Sequence, residues 1–272
     1  WRGNALSLDR YAVIGNPVTH SLSPLIHRAF AKQSGELLTY SVIETPIDAF
    51  EARVAEFFDA GGCGLNVTVP FKSRACDWVD CLDEYSREAG AVNTIRVTKE
   101  GFEGFNTDGI GLMRDLERLG WSPRNARVLI LGAGGAARGI LGPLLRASVR
   151  AVMIANRTPE KARHLADQFE DVGWAGLDKV GGVWDIVINA TSAGLDGDGA
   201  IVARERLRNA YCYDLYYRSD GDTPFVTWAQ KVALGASDGL GMLVEQAAEA
   251  FRIWRGHKPD TDLVLQRLRR HA

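Results

Sequence analysis

Between Val128 and Ala137 the chain reads Val-Leu-Ile-Leu-Gly-Ala-Gly-Gly-Ala-Ala, and no other stretch limits the possible folds so tightly. An apolar run with no polar residue in it suits a strand covered on both faces, as in a parallel sheet. Gly132, Ala133, Gly134, Gly135, Ala136 and Ala137 then match G-x-G-x-x-A, a dinucleotide-binding fingerprint with alanine in its third place. Gly132 allows a tight turn, Gly134 lets a pyrophosphate approach the backbone, and Ala137 lets helix and strand pack closely. The helix predicted over 138–146 would present unpaired N–H groups and a positive dipole end to phosphates. Glycines of this kind alone describe only a strand-to-helix turn. The strand before them and the helix after them point to a nucleotide.

Further βα repeats follow, with strands at 151–155, 186–189 and 211–215 and a helix at 160–169, the pattern of a doubly wound α/β unit. A site preferring NAD usually carries an acid about 20 residues beyond the first glycine, bonded to the ribose 2′-hydroxyl. Here that place holds Asn156-Arg157-Thr158. Arg157 can make a charge-assisted contact to a 2′-phosphate, and Lys161, one helical turn on, adds a second positive charge. As plain surface residues they would be a solvated basic helix start. The predicted cofactor is NADP.

Composition removes several other classes. The 272 residues are 46 % hydrophobic and 24 % charged, with 32 Lys plus Arg against 34 Asp plus Glu. That balance belongs to a folded globular chain and leaves no overall basic footprint for nucleic acid. Its apolar runs are far below the ~20 residues that cross a bilayer, and the expectation is of no basic-then-apolar signal peptide. Four scattered cysteines, Cys63, Cys76, Cys81 and Cys212, lack the spacing of zinc ligands or of a disulfide framework. The expectation is a soluble, cytoplasmic protein with a small-molecule substrate, no metal, no nucleic-acid or membrane partner, and a monomeric or homodimeric state.

The first half alternates strands (11–14, 39–43) with amphipathic helices. Ser23-Pro24 reads as an N-cap followed by proline at the first helical position. A helix burying Phe50, Val54, Phe57 and Phe58 stops at Gly61-Gly62. Leu65, Val67 and Val69 alternate with Asn66 and Thr68, which predicts a two-faced strand with its polar side chains on one face. Residues 95–97 and 102–105 predict a hairpin, and Leu112, Leu116 and Leu119 a helix before the glycine loop. Uncharged donors and acceptors at strand ends suit a polyhydroxylated ligand. Lys72 and Asp108 are the charged members of these polar clusters. An ammonium near a carbonyl can protonate a forming alkoxide, and a carboxylate beside it can hold and tune it. Taken singly, Lys72 would be a surface residue and the asparagines turn residues.

Several motifs occur in order: Ser21-x-Ser23-Pro24, Asn66-Val67-Thr68-Val69-Pro70-Phe71-Lys72, Ala89-Gly90-Ala91-Val92-Asn93-Thr94, Asn106-Thr107-Asp108-Gly109, Asn156-Arg157-Thr158, Asn189-Ala190-Thr191, and Asp238-Gly239-Leu240-Gly241-Met242-Leu243-Val244-x-Gln246-Ala247. Through them nearly the whole chain resembles the shikimate dehydrogenase family, which reduces 3-dehydroshikimate with NADPH on the route to aromatic amino acids. The resemblance implies that Lys72 and Asp108 are the catalytic pair. It implies that Ser21, Ser23 and Tyr217 hold the substrate carboxylate, and that Asn66, Thr68, Asn93 and Gln246 bond the ring hydroxyls. Gly239 and Met242 would lie against the nicotinamide and Thr191 near the ribose. Two places depart from the pattern: Phe105, where relatives often have an acid, and the polar loop 216–224 that carries Tyr217.

The expected architecture is therefore α/β with two α/β domains. A substrate-binding domain with a mainly parallel sheet, 1–108 plus 240–272, would flank a Rossmann-like NADP-binding domain, 109–239, with the active-site cleft between them. Two alternatives stay open on the residues: a broader quinate/shikimate dehydrogenase using NAD, and a non-catalytic NADP- or metabolite-sensing module that kept the fold.

Overall fold

The computed structural model describes residues 8–191, 201–218 and 220–270. The chain divides into two compact units, Trp1–Thr107 with Gln246–Gln266, and Asp108–Glu245 with Arg267–Ala272. Among the described residues no helix is long and apolar enough to cross a membrane.

The first unit is built on a six-stranded mixed sheet. Its elements are β1 (Asp9–Gly15), α1 (Ser23–Ser34), β2 (Leu38–Glu44), α2 (Phe50–Asp59), β3 (Gly62–Val67), α3 (Lys72–Trp78), β4 (Cys81–Leu82), α4 (Glu84–Ala89), β5 (Thr94–Thr98) and β6 (Gly101–Phe105). The strand order is β2-β1-β3-β5-β6-β4. β1 pairs in parallel with β2 and β3, while β5 runs antiparallel to β3 and forms the predicted hairpin with β6. Alternation in β1 sends Ala12 and Ile14 into a core with Phe50, Val54, Leu65 and Phe71, and Tyr11 and Val13 into a second one with Tyr40. The second core is closed by α9 (Leu240–Arg255), whose Trp254 packs against Tyr11 with ring centroids 4.7 Å apart and planes tilted by 32°, and donates from its indole to the Ile95 carbonyl at 3.0 Å. Gly64 is small for that reason, since a Cβ there would strike the Trp254 ring.

The second unit holds a six-stranded sheet whose paired strands are all parallel. Its elements are α5 (Asp108–Arg118), β7 (Arg127–Leu131), α6 (Gly135–Arg146), β8 (Ala151–Asn156), α7 (Pro159–Ala166), β9 (Val172–Gly176), β10 (Ile186–Asn189), β11 (Tyr211–Asp214), α8 (Pro224–Ala229) and β12 (Gly235–Ser237). The order β12-β11-β10-β7-β8-β9 is that of a doubly wound dinucleotide fold. Val128 and Ile130 face Leu116, Ile140 and Leu144, while Leu129 and Leu131 face Trp184, Leu207 and Phe225, so β7 is buried on both faces. The last helix, α10 (Asp262–Arg270), lies across the sequence limit between the units.

Three local expectations are corrected. Ser23 is not the cap of α1: Leu22 occupies that position without a side-chain bond, and Ser23 and Pro24 lie in the first turn. The strand through Asn66 is two-faced but shorter than expected: Leu65 and Val67 face one core and Asn66 turns to Tyr40 in the other, while β3 ends at Val67, so Thr68 and the 61 % exposed Val69 lie beyond it. Helix α6 starts at Gly135, three residues earlier than its periodicity suggested, since alanine and glycine carry little hydrophobic signal. Short elements such as α3, α4, α8, β4, β9 and β12 leave no readable period in the sequence.

Gly109 sits where α5 meets α6. A Cβ there would come 2.5 Å from Pro143 Cγ and 2.8 Å from the Gly139 carbonyl oxygen. Backbone cannot yield as a flexible side chain does, so Gly109→Ala should destabilise the protein by about 1–3 kcal/mol. A lowered urea midpoint relative to the parent protein checks this, and an unchanged midpoint contradicts it.

Candidate functional site

In the first unit a buried polar cluster forms where β3 and β6 end and β5 begins. Asn66 is held at both ends of its amide: its oxygen accepts from the Tyr40 hydroxyl at 2.7 Å, and its nitrogen donates to the Asn93 carbonyl at 3.1 Å and to Thr94 Oγ1 at 3.0 Å. Asn93 in turn accepts from the Thr107 N–H at 3.0 Å and donates to Thr107 Oγ1 at 2.9 Å. The Gln246 amide oxygen, on α9, lies 3.4 Å from both the Asn93 nitrogen and Thr107 Oγ1. Asn66, Asn93 and Gln246, picked out separately in the sequence, are thus linked through Asn93. Thr107, whose role the sequence left unassigned although it lies in a quoted motif, joins two of them. Tyr40 was missed as well, because an aromatic residue in a strand pattern reads only as core.

Thr68 follows β3, half-buried, with its N–H on the Ile14 carbonyl at 2.9 Å. Lys72 opens α3, half-buried, and its carbonyl accepts from Val92 N–H at 2.8 Å, one residue before Asn93. Ser21 accepts from the Ser23 N–H at 3.2 Å. Behind Asn66, His27 stacks on Tyr40 with ring centroids 4.3 Å apart. Burial drives the His27 imidazole down to about 3, because desolvation penalises its charged form more than a hydrogen bond to Asn66 favours it. The phenol of Tyr40 is pushed up by burial for the converse reason.

In the second unit the glycine loop follows β7 directly. Gly132 has φ +109°, and a Cβ on it would come 2.9 Å from the Ala190 carbonyl oxygen and 3.0 Å from Thr191 Cγ2. This position therefore requires glycine for both its conformation and its neighbours. Ideal Cβ atoms on Gly134 and Gly135 would instead meet nothing within 4 Å, so the backbone of the loop is open on that side. Gly134 caps α6 without a side-chain bond, and Ala137 is fully buried. The N–H groups of the first turn have no side-chain cap there, which fits a phosphate-bearing group. At the end of β8, Asn156 donates to the Thr158 carbonyl at 2.9 Å, and Arg157, Thr158 and Lys161 are exposed at the start of α7.

The ends of β10, β11 and β12 carry the other second-unit candidates. Thr191 donates from its N–H and hydroxyl to Asn189 Oδ1 at 3.0 and 2.7 Å. Tyr217 is half-buried two residues past Leu215, and Ser219 in the same loop lies outside the described residues. Gly239 donates to the Tyr216 carbonyl at 2.8 Å, and a Cβ on it would strike the Leu215 carbonyl. Met242 N–H donates to the Tyr213 hydroxyl at 3.2 Å, which itself donates to the buried Asp115 carboxylate at 2.6 Å. Asp108 is buried as the first residue of α5, next in the chain after Thr107. Desolvation raises the Asp115 carboxyl, and pushes that of Asp214 up to about 6.

His27 gives a pH test. Its pKa is lower in the folded chain than in the unfolded one, so between about pH 6.5 and 3 the unfolded state binds the extra proton. Stability from this group is present above pH 6.5 and falls by up to about 1.4 kcal/mol per pH unit below it. Urea unfolding of the parent protein and His27→Phe, compared at pH 7 and pH 5, should show the parent losing more stability. Equal losses would show that His27 is not buried as a neutral ring.

Family descriptions match along the chain: "Shikimate dehydrogenase substrate binding domain" over 13–95, "Shikimate / quinate 5-dehydrogenase" over 116–212, and "Shikimate 5'-dehydrogenase C-terminal domain" over 239–269. A curated relative from Aeromonas salmonicida, named Shikimate dehydrogenase (NADP(+)), is 47 % identical over 270 residues, covering 97 % of this chain and 98 % of its own. A crystal structure of an Ael1 enzyme from Pseudomonas putida matches with a TM-score of 0.90 at 45 % identity, covering 96 % of this chain and 98 % of that one. Shikimate 5-dehydrogenase from Thermus thermophilus, solved with NADP(H) and shikimate, matches with a TM-score of 0.87 at 32 % identity, covering 97 % and 100 %.

Proposed function

The chain belongs to the shikimate dehydrogenase family, and on that footing we propose that Lys72 and Asp108 are its catalytic pair. The protein is an NADP-dependent oxidoreductase that interconverts shikimate and 3-dehydroshikimate. The observation that carries the activity is the near-full-length similarity to NADP-dependent shikimate dehydrogenases, in a chain whose second unit has the strand order and open glycine loop of a dinucleotide site.

When bound, the nicotinamide would supply the hydride donor or acceptor. Everything else falls to side chains. In the reducing direction Lys72 Nζ gives a proton to the carbonyl oxygen as it becomes an alkoxide, with Asp108 as the other member of the proposed pair. In the oxidising direction the same amine takes the hydroxyl proton. Asn66, Thr68, Asn93 and Gln246 bond ring hydroxyls. Their support is the cluster itself: its asparagines are already oriented by protein partners, so little ordering remains when a ligand binds. Ser21, Ser23 and Tyr217 take the substrate carboxylate through hydroxyl donors.

The loop Gly132–Ala137 and the first turn of α6 hold the pyrophosphate. Asn156, Arg157, Thr158 and Lys161 take the 2′-phosphate, supported by the exposed cations at the start of α7 and by the lack of an acid at this strand end. Thr191 would hold the ribose, and Gly239 and Met242 the nicotinamide.

The direct test follows absorbance of the reduced nicotinamide with shikimate and NADP, repeated with NAD and with quinate. Signal with shikimate and NADP is expected, and its absence with NADP still bound would leave a sensing module. Lys72→Ala should lower kcat by about 10²–10⁴, the usual size of a general acid–base contribution, with a smaller change in KM for shikimate. Turnover at the parental rate would remove Lys72 from the catalytic pair. Arg157→Ala should lower the preference for NADP over NAD by about ten- to a hundredfold, the cost of one charge-assisted bond. An unchanged ratio of kcat/KM values would show that Arg157 does not read the 2′-phosphate.

A further inference from the structure

We infer that Asp214 is a positioning residue that sets Thr191 and the Tyr216–Tyr217 segment together, an inference that rests on the roles proposed above for Thr191 and Tyr217. Asp214 ends β11 and is 2 % exposed. Its carboxylate receives three donors from three different segments. Oδ1 accepts from Asn189 Nδ2 at 3.0 Å and from the Tyr216 N–H at 3.1 Å, and Oδ2 accepts from Thr223 Oγ1 at 2.5 Å.

Each of these bonds has a direction that the carboxylate alone dictates, because an ionised carboxylate can only accept. Asn189 must therefore turn its nitrogen toward Asp214 and its oxygen the other way. That oxygen is the acceptor for both the N–H and the hydroxyl of Thr191. On the opposite side Thr223 gives its proton to Asp214 and is left to accept from Val226 N–H at 3.2 Å, which caps α8. The loop leaving β11 is thus held at its start by Tyr216 and at its end by Thr223, with Tyr217 in between. Gly239 belongs to the same corner, since it donates to the Tyr216 carbonyl and rests on the Leu215 carbonyl. A neutral amide in place of Asp214 keeps the shape but turns one acceptor into a donor, so it can no longer accept from all three partners, and the bond to Thr223 would have to reverse.

The test is steady-state kinetics on the full chain, with thermal melts alongside. Asp214→Asn should raise KM for shikimate and KM for NADP, each by about tenfold, with kcat changed less, as expected when a charged acceptor is lost from both arms. Thr223→Val should raise KM for shikimate alone, and Asn189→Ser should raise KM for NADP alone. These milder variants decide the matter if Asp214→Asn does not fold. Tyr217→Phe and Thr191→Val report on the underlying roles. If they raise their respective KM values while the Asp214, Thr223 and Asn189 variants lower only the melting temperature, the inference is overturned and the proposed roles stand. If Tyr217→Phe and Thr191→Val leave both KM values unmoved, those roles fail and the inference falls with them.

Discussion

Strand direction is the constraint on which the rest of this molecule depends. A parallel strand brings all its free carboxyl ends to one edge, where the backbone leaves the sheet and polar side chains are no longer confined to alternate faces. In the second unit β7, β8, β10, β11 and β12 all point the same way. Their ends deliver the glycine loop, Asn156-Arg157-Thr158, Thr191, the Asp214–Tyr217 corner and Gly239 in turn. In the first unit β1 and β3 are parallel, while β5 runs back along β3 and β6 returns beside it. The end of β3, the start of β5 and the end of β6 therefore meet at one edge. Thr68, Asn93 and Thr107 come from there, with Asn66 one place back inside β3.

Each unit meets the same problem at its own sheet edge: polar side chains are held in low-exposure positions. Buried amides and carboxylates left unbonded would cost about 1–3 kcal/mol each. The solution is reciprocal bonding among the candidate residues and their neighbours. Asn93 bonds Thr107, Asn66 is fixed by Tyr40 and Thr94, and Asp214 gathers Asn189, Tyr216 and Thr223. The same bonds that make these groups tolerable inside the protein also orient them. Close packing does the remaining positioning. Gly64 under Trp254, Gly109 against α6 and Gly239 on Leu215 are places where one added carbon would push an element away from its neighbour.

Much of this was legible in the residues. The apolar run of β7 and the glycines after it predicted a parallel strand and a helix N-terminus, and both stand there, because burial on two faces leaves a pattern that needs no partner to be read. The hairpin of β5 and β6 was equally plain from its turn. Other parts were not. The alternation around Asn66 showed two faces but not that Asn66 is bonded inside the protein, since a polar residue bonded there and one facing water have the same letter. Ser23 looked like a cap because Ser-Pro commonly is one, yet the helix begins one residue earlier. Tyr40 and Asp214 carried no signal of their own, and Asn189 stood in a quoted motif without a role. Their importance lies in which atom each one bonds.

The sequence alone determined the strand-and-helix alphabet, the glycine loop and the chemical types available at each strand end. These are local properties, written in periodicity, small residues and charge within a few positions of one another. Only the tertiary structure decided the pairing: that Asn66 turns to Tyr40, that Asn93 binds Thr107 and neighbours Gln246, and that one carboxylate organises two loops. Such contacts join residues far apart in the chain, as Asn93 and Gln246 are. They depend on strand order and side-chain direction, which no stretch of sequence carries by itself.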